Sequence, residues 1–150
     1  MSLPIGKEKL PELSLSGMHA IGWQLGIHSY AWSPPTDVFE TDAGYIVRLE
    51  DGTTLYHAGD TGLFESMKTL GELYPIDVAM LPIGSVFTMD PVQAARATKM
   101  ISPKKVIPMH FKTFPILVQD ASGFIGLVKK EAPHVEVVTL NPGEGYSYSK

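Results

Sequence analysis

Cysteine is absent from the 150 residues. That excludes thiolate metal sites, disulfides and cysteine nucleophiles, while leaving the redox compartment open, because a chain without thiols suits either. Long apolar runs are missing as well. None approaches the roughly 20 residues of a membrane span, and no basic stretch followed by an apolar one opens the chain. A soluble, cytoplasmic protein with no membrane partner is expected. Positive charge is scarce: 12 Lys and Arg stand against 16 Asp and Glu, for a net charge of −4. Nucleic acid is therefore not an expected partner, since phosphate contacts need a clustered basic surface. The imbalance lies in the first half, −6 over residues 1–75 against +2 over 76–150, and pairs such as Lys104-Lys105 read as a solvated face. Internal repeats and low-complexity tracts are also lacking. At this length roughly two thirds of the unfolded surface can be buried, so one domain spanning 1–150 can hold a core without covalent staples.

From the middle of the chain onward, strands and helices alternate. Gly44 to Leu49 alternates as a strand, Asp51-Gly52 signals a hairpin turn, and Thr53 to Ala58 returns antiparallel. Met67, Leu70 and Leu73 recur at helical spacing within Glu65–Leu73, Pro75 ends that helix, and Ile76 to Leu81 reads as a buried strand. Asp90 as N-cap with Pro91 in the first turn predicts a helix over about Val92–Ile101, followed by the strand Lys105–Met109. A third helix, about Gly123–Glu131, precedes a strand over Val135–Leu140, and Asn141-Pro142-Gly143 turns the chain. Residues 1–43 are less orderly, with short strands at Leu13–Ser16 and Trp23–His28 among several prolines. The alternation implies an α/β layered sheet, and such sheets bind ligands outside the carboxyl ends of their strands.

Asp60, Ser85 and His110 all fall at such ends. Asp60 stands in His57-Ala58-Gly59-Asp60-Thr61-Gly62, where flanking glycines let the backbone turn tightly and aim a carboxylate into a cleft. A plain polar turn fits that stretch equally. His28, Asp60 and His110 together offer the imidazole and carboxylate donors that suit zinc, manganese or iron. Taken singly, His28 reads more readily as a surface residue of a Pro-rich loop and His110 as a packed polar cap. His19 and His134 make weaker candidates, one in a Gly-flanked turn and the other in a helix-to-strand loop.

The run Tyr45 to Glu144 resembles the metallo-β-lactamase superfamily, most closely its uncharacterised branch of predicted metal-dependent hydrolases. The resemblance rests on Tyr56-His57-Ala58-Gly59-Asp60-Thr61-Gly62-Leu63-Phe64, on Met67-Lys68 with Gly71-Glu72-Leu73, and on Leu81-Pro82-Ile83-Gly84 with Phe87-Thr88-Met89. It continues through Val106-Ile107-Pro108-Met109-His110-Phe111 with Thr113-Phe114-Pro115 and ends at Asn141-Pro142-Gly143-Glu144. It implies the C-terminal part of an αββα sandwich, with 1–43 an irregular segment within it. It also implies a hydrolase that uses a metal-activated water on a small-molecule substrate, with one or two divalent ions, zinc first and manganese or iron as alternatives. By the same resemblance, Asp60 matches the carboxylate that bridges the metals and is the catalytic residue. His110 matches the late histidine on the second metal and His28 the earlier one on the first. His57 and Thr88 are candidates for contacting substrate or orienting Asp60, and for each of them simple packing or a turn role fits as well.

The superfamily's signature His-x-His-x-Asp-His is absent, and no histidine here lies two residues from another. The match therefore implies a chain that begins after the family's first strands, with weak metal affinity and little or no turnover. Half a sandwich would leave one apolar sheet face to be covered, which implies a homo-oligomer. Two other readings stand beside this one. A non-catalytic remnant that works by self-association or partner binding would also explain the missing signature. Asp60-Thr61-Gly62 matches the triplet of aspartic proteases, where paired carboxylates share a proton, although helix-strand units follow it here.

Overall fold

The computed structural model describes residues 19–27 and 41–149. The candidate ligand His28 and the expected strand Leu13–Ser16 lie outside the described residues. Among the described residues nine elements follow in order: β1 (His19–Ile27), β2 (Thr41–Arg48), β3 (Thr54–His57), α1 (Ser66–Leu73), β4 (Val78–Pro82), α2 (Pro91–Ile101), β5 (Lys105–Met109), α3 (Ser122–Glu131) and β6 (Glu136–Val137). The strands make one six-stranded sheet in sequence order. β1, β2 and β3 pair antiparallel, and β3 to β6 run parallel.

Local chemistry accounts for the element ends. The β2–β3 hairpin closes through Gly52, whose N–H donates to the Leu49 carbonyl at 3.0 Å, and through Asp51, whose carboxylate accepts from the Thr53 N–H at 2.8 Å. α2 opens on a full capping box. Asp90 accepts from the Gln93 N–H at 2.7 Å while the Gln93 side chain accepts from the Asp90 N–H, and Pro91 occupies the first turn, where no N–H is needed.

Each parallel step from β3 to β6 advances in the same direction across the sheet. Right-handed crossovers therefore place all three helices on one face. The register shows which residues meet them: Ile46, Tyr56, Ala79 and Val106 form one row across β2, β3, β4 and β5, and all are buried. They pack with Met67 and Leu70 of α1, Ala94 and Ile101 of α2, and Phe124 and Val128 of α3. The opposite face carries the row Tyr45, His57, Met80 and Ile107. Tyr45 is 42% exposed there, and Met80 and Ile107 are half-buried.

Two expectations shift. The strand expected over Val135–Leu140 contracts to Glu136–Val137, because it is an edge strand with a neighbour on one side only and Asn141 already begins a turn. The strand expected from Trp23 begins at His19, because pairing with β2 reaches His19 opposite Arg48. No helix among the described residues is long and apolar enough to cross a membrane.

Candidate metal centre

The carboxyl ends of β3, β4 and β5 lie side by side, and the turns after them build the site. After His57 the chain keeps one more ladder bond, from the Ala58 N–H to the Met80 carbonyl, and then turns through Gly59 at φ 66. A positive φ costs glycine nothing and most residues 1–2 kcal/mol, so the glycine fixes where Asp60 emerges. His57 Nδ1 accepts from the Gly59 N–H at 3.0 Å, which ties that side chain to the turn. The Thr61 carbonyl accepts from the Met89 N–H at 3.2 Å and joins the Asp60 turn to the loop after β4. Thr88 is buried in that loop, its hydroxyl 3.5 Å from the Met89 carbonyl.

His110 follows β5 directly, in a left-handed conformation at φ 55. Gly84 runs beneath it, and the Gly84 carbonyl accepts from the Val118 N–H at 3.0 Å. Four non-glycine residues with positive φ cluster here: Ser85, Val86, His110 and Lys112. For a β-branched residue such as Val86 this is a strained backbone, and strain of this kind concentrates at functional sites.

The turns bring Asp60 and His110 together, with Oδ2 and Nε2 3.6 Å apart. Both keep access to solvent, Asp60 more than His110. Nδ1 of His110 is buried and has no hydrogen-bond partner among the described residues. Nε2, the other ring nitrogen, is the one that faces Asp60. The donor pair fits a cation. Two ligands each about 2.0–2.1 Å from a tetrahedral zinc stand about 3.3–3.4 Å apart, close to the spacing seen. Among the described residues no third His, Cys, Asp or Glu joins them in a group of three. His134 lies at the opposite end of the sheet, 2.8 Å from Ser102 Oγ, and His19 begins β1. Ser85 and Lys112 contribute backbone bends to the site, and the Lys112 side chain is exposed. Ser85 was placed at a strand end by the sequence without a role, whereas the close approach of Gly84 and the strained backbone at Ser85-Val86 escaped it, although Leu81-Pro82-Ile83-Gly84 marked the place.

Comparisons with known proteins fall on the same segment. The model of a β-lactamase superfamily domain matches residues 20–110. A UPF0173 metal-dependent hydrolase of Methanobrevibacter smithii is 53% identical over 108 residues, covering 71% of this chain and 45% of that protein. One from Thermococcus kodakarensis is 55% identical over 102 residues, covering 67% and 44%. Among solved structures, Igni18, a metallo hydrolase from Ignicoccus hospitalis, superposes with a TM-score of 0.74 at 37% identity, covering 89% of this chain and 54% of that one. The chain spans about half the length of the relatives it matches.

Proposed function

Because the chain belongs to the metallo-β-lactamase superfamily, we propose that Asp60 and His110 are two ligands of a divalent-cation site whose activity is hydrolysis by a metal-activated water. The 3.6 Å approach of Asp60 Oδ2 to His110 Nε2, from the ends of β3 and β5 on either side of β4, carries this reading. The names of the relatives, metal-dependent hydrolases, support it. His28 is the third proposed ligand, and zinc is the favoured metal over manganese or iron, since two imidazoles and a carboxylate make a common zinc set. A cation bound there would lower the pKa of its water and polarise a carbonyl or phosphoryl oxygen of a small-molecule substrate. The chain's own residues have simpler tasks. Asp60 supplies a carboxylate at an exposed turn, His110 a second donor at the end of β5, and the Thr61–Met89 bond holds the loop carrying Thr88 against the Asp60 turn. With no His-x-His-x-Asp-His in the sequence, binding is weak and turnover low.

Elemental analysis after equilibrium dialysis against buffer holding zinc, manganese or iron in excess tests the proposal. Zinc, manganese or iron is expected in the wild-type protein and is expected to be lost in Asp60→Ala and His110→Ala while the fold persists. A folded wild-type protein without metal would overturn it and favour the non-catalytic, self-associating remnant.

A further inference from the structure

A cavity of about 740 Å³ adjoins His110 at the carboxyl end of β5. Met109 at the end of β5, Phe111 in the turn, Ile125 on α3 and Leu140 after β6 form its apolar walls. Ile125 is 40% exposed and the other three are half-buried, so each leaves carbon surface uncovered inside a concave site. The size falls within the range of small-molecule pockets.

Four of the polar side chains on the wall, Gln119, Asp120, Ser122 and Asn141, are engaged within the protein, and His110, Lys112, Thr113 and Thr139 are the others. Gln119 Nε2 donates to the carbonyls of Phe114 and Leu117 at 2.8 and 2.7 Å. Asp120 accepts from both the Ser122 hydroxyl and its backbone N–H, and Asn141 is closed on Glu144. A polar ligand reaching Gln119, Asp120, Ser122 or Asn141 would have to break these bonds, whereas an apolar one would lie on the carbon of Met109, Phe111, Ile125 and Leu140. The charges on the wall balance as well. The Ser122 hydroxyl and N–H hold the Asp120 carboxyl below its ordinary pKa and therefore charged, and Lys112 supplies the opposite sign. Away from His110, the wall therefore carries no net charge.

We propose that this cavity is a subsite for a neutral apolar group of the substrate, an aryl or branched alkyl group placed beside the bond that Asp60 and His110 would present to water. The fate of the bound group rests on the hydrolase reading above, but its binding does not.

Methyl NMR on the full chain, stripped of metal with EDTA, separates the two. Phenylacetamide is expected to shift the methyl signals of Met109, Ile125 and Leu140 saturably, and acetamide, which lacks the ring, is expected to leave them in place. Ile125→Asp and Leu140→Asn, each checked for a native-like spectrum, are expected to weaken phenylacetamide binding at least about fivefold. No saturable shift in the folded protein, shifts centred on Met80 and Ile107, or unchanged affinity in both variants would overturn the subsite. Because no metal is present in the titration, failure of the metal proposal leaves this result readable.

Discussion

A Cβ added to Gly84 would fall 2.1 Å from the His110 carbonyl oxygen and 3.0 Å from its Nδ1. Neither contact can be relieved by turning a flexible side chain, because one partner is backbone and the other an imidazole held by a left-handed turn. Gly84→Ala is therefore expected to cost about 1–3 kcal/mol in urea unfolding, the usual toll of forcing extra volume into a packed place. It should also displace His110, so that metal retention falls further than in a surface variant of equal stability. A variant with wild-type stability and metal content would show that the turn adapts freely. At this scale the sequence was only half legible. Asp60 and His110 are candidates from their places after strands, whereas Gly84 had no chemical signal because its role is to be small under a neighbour 26 residues away in the chain.

The strand ends opposite the site are tied by Asp77, a buried carboxylate just before β4. It accepts from the Thr54 N–H at 2.8 Å, from Lys104 Nζ at 2.8 Å and from the Tyr148 hydroxyl at 3.1 Å, which joins β3, β5 and the C-terminal stretch. Burial by itself would raise the Asp77 pKa. The bonds from Lys104, Thr54 and Tyr148 outweigh burial and hold it below the ordinary value of 3.8. A carboxyl with a depressed pKa binds its proton less readily folded than unfolded. Its contribution is therefore present above about pH 4 and is lost as pH falls through the lower folded value. Asp77→Asn is expected to cost about 1–3 kcal/mol at neutral pH, and the gap to wild type should narrow as pH falls below about 4. Urea titrations at several pH values check this, and a constant gap would refute it. The elements themselves were readable because periodicity and caps are local: α2 begins where Asp90 and Pro91 announce it. The reach of the last strand was not, since Val138 to Leu140 have strand character but the edge ends before them.

The sheet has two faces of different fate. The helices close one, and the other presents Tyr45, Met80 and Ile107 in a single row with His57 between them. Burying such a row against a second copy would remove carbon surface from water, the largest favourable term in association. Sedimentation equilibrium is expected to show a mass above the 16.4 kDa of one chain that rises with concentration. Replacing Met80 and Ile107 together by Glu is expected to return it to the monomer while the far-ultraviolet circular dichroism stays unchanged. A wild-type protein that is monomeric at every concentration would falsify the self-association.

By itself the sequence determined the kind of fold and the donor types that a candidate site can offer. With no cysteine, thiolate donors are excluded, and alternating strands and helices with Asp60 and His110 after strands point to a layered sheet with its candidate site at the carboxyl ends. These are short-range facts, written in composition, period and capping residues. The tertiary structure alone decided that Asp60 and His110, 50 residues apart, stand 3.6 Å from each other. It also decided that Gly84 leaves room for that approach, and that Ile125 and Leu140 close a cavity beside it. Proximity of this kind comes from strand order and crossover hand, which act on the whole chain and leave no mark on any one residue.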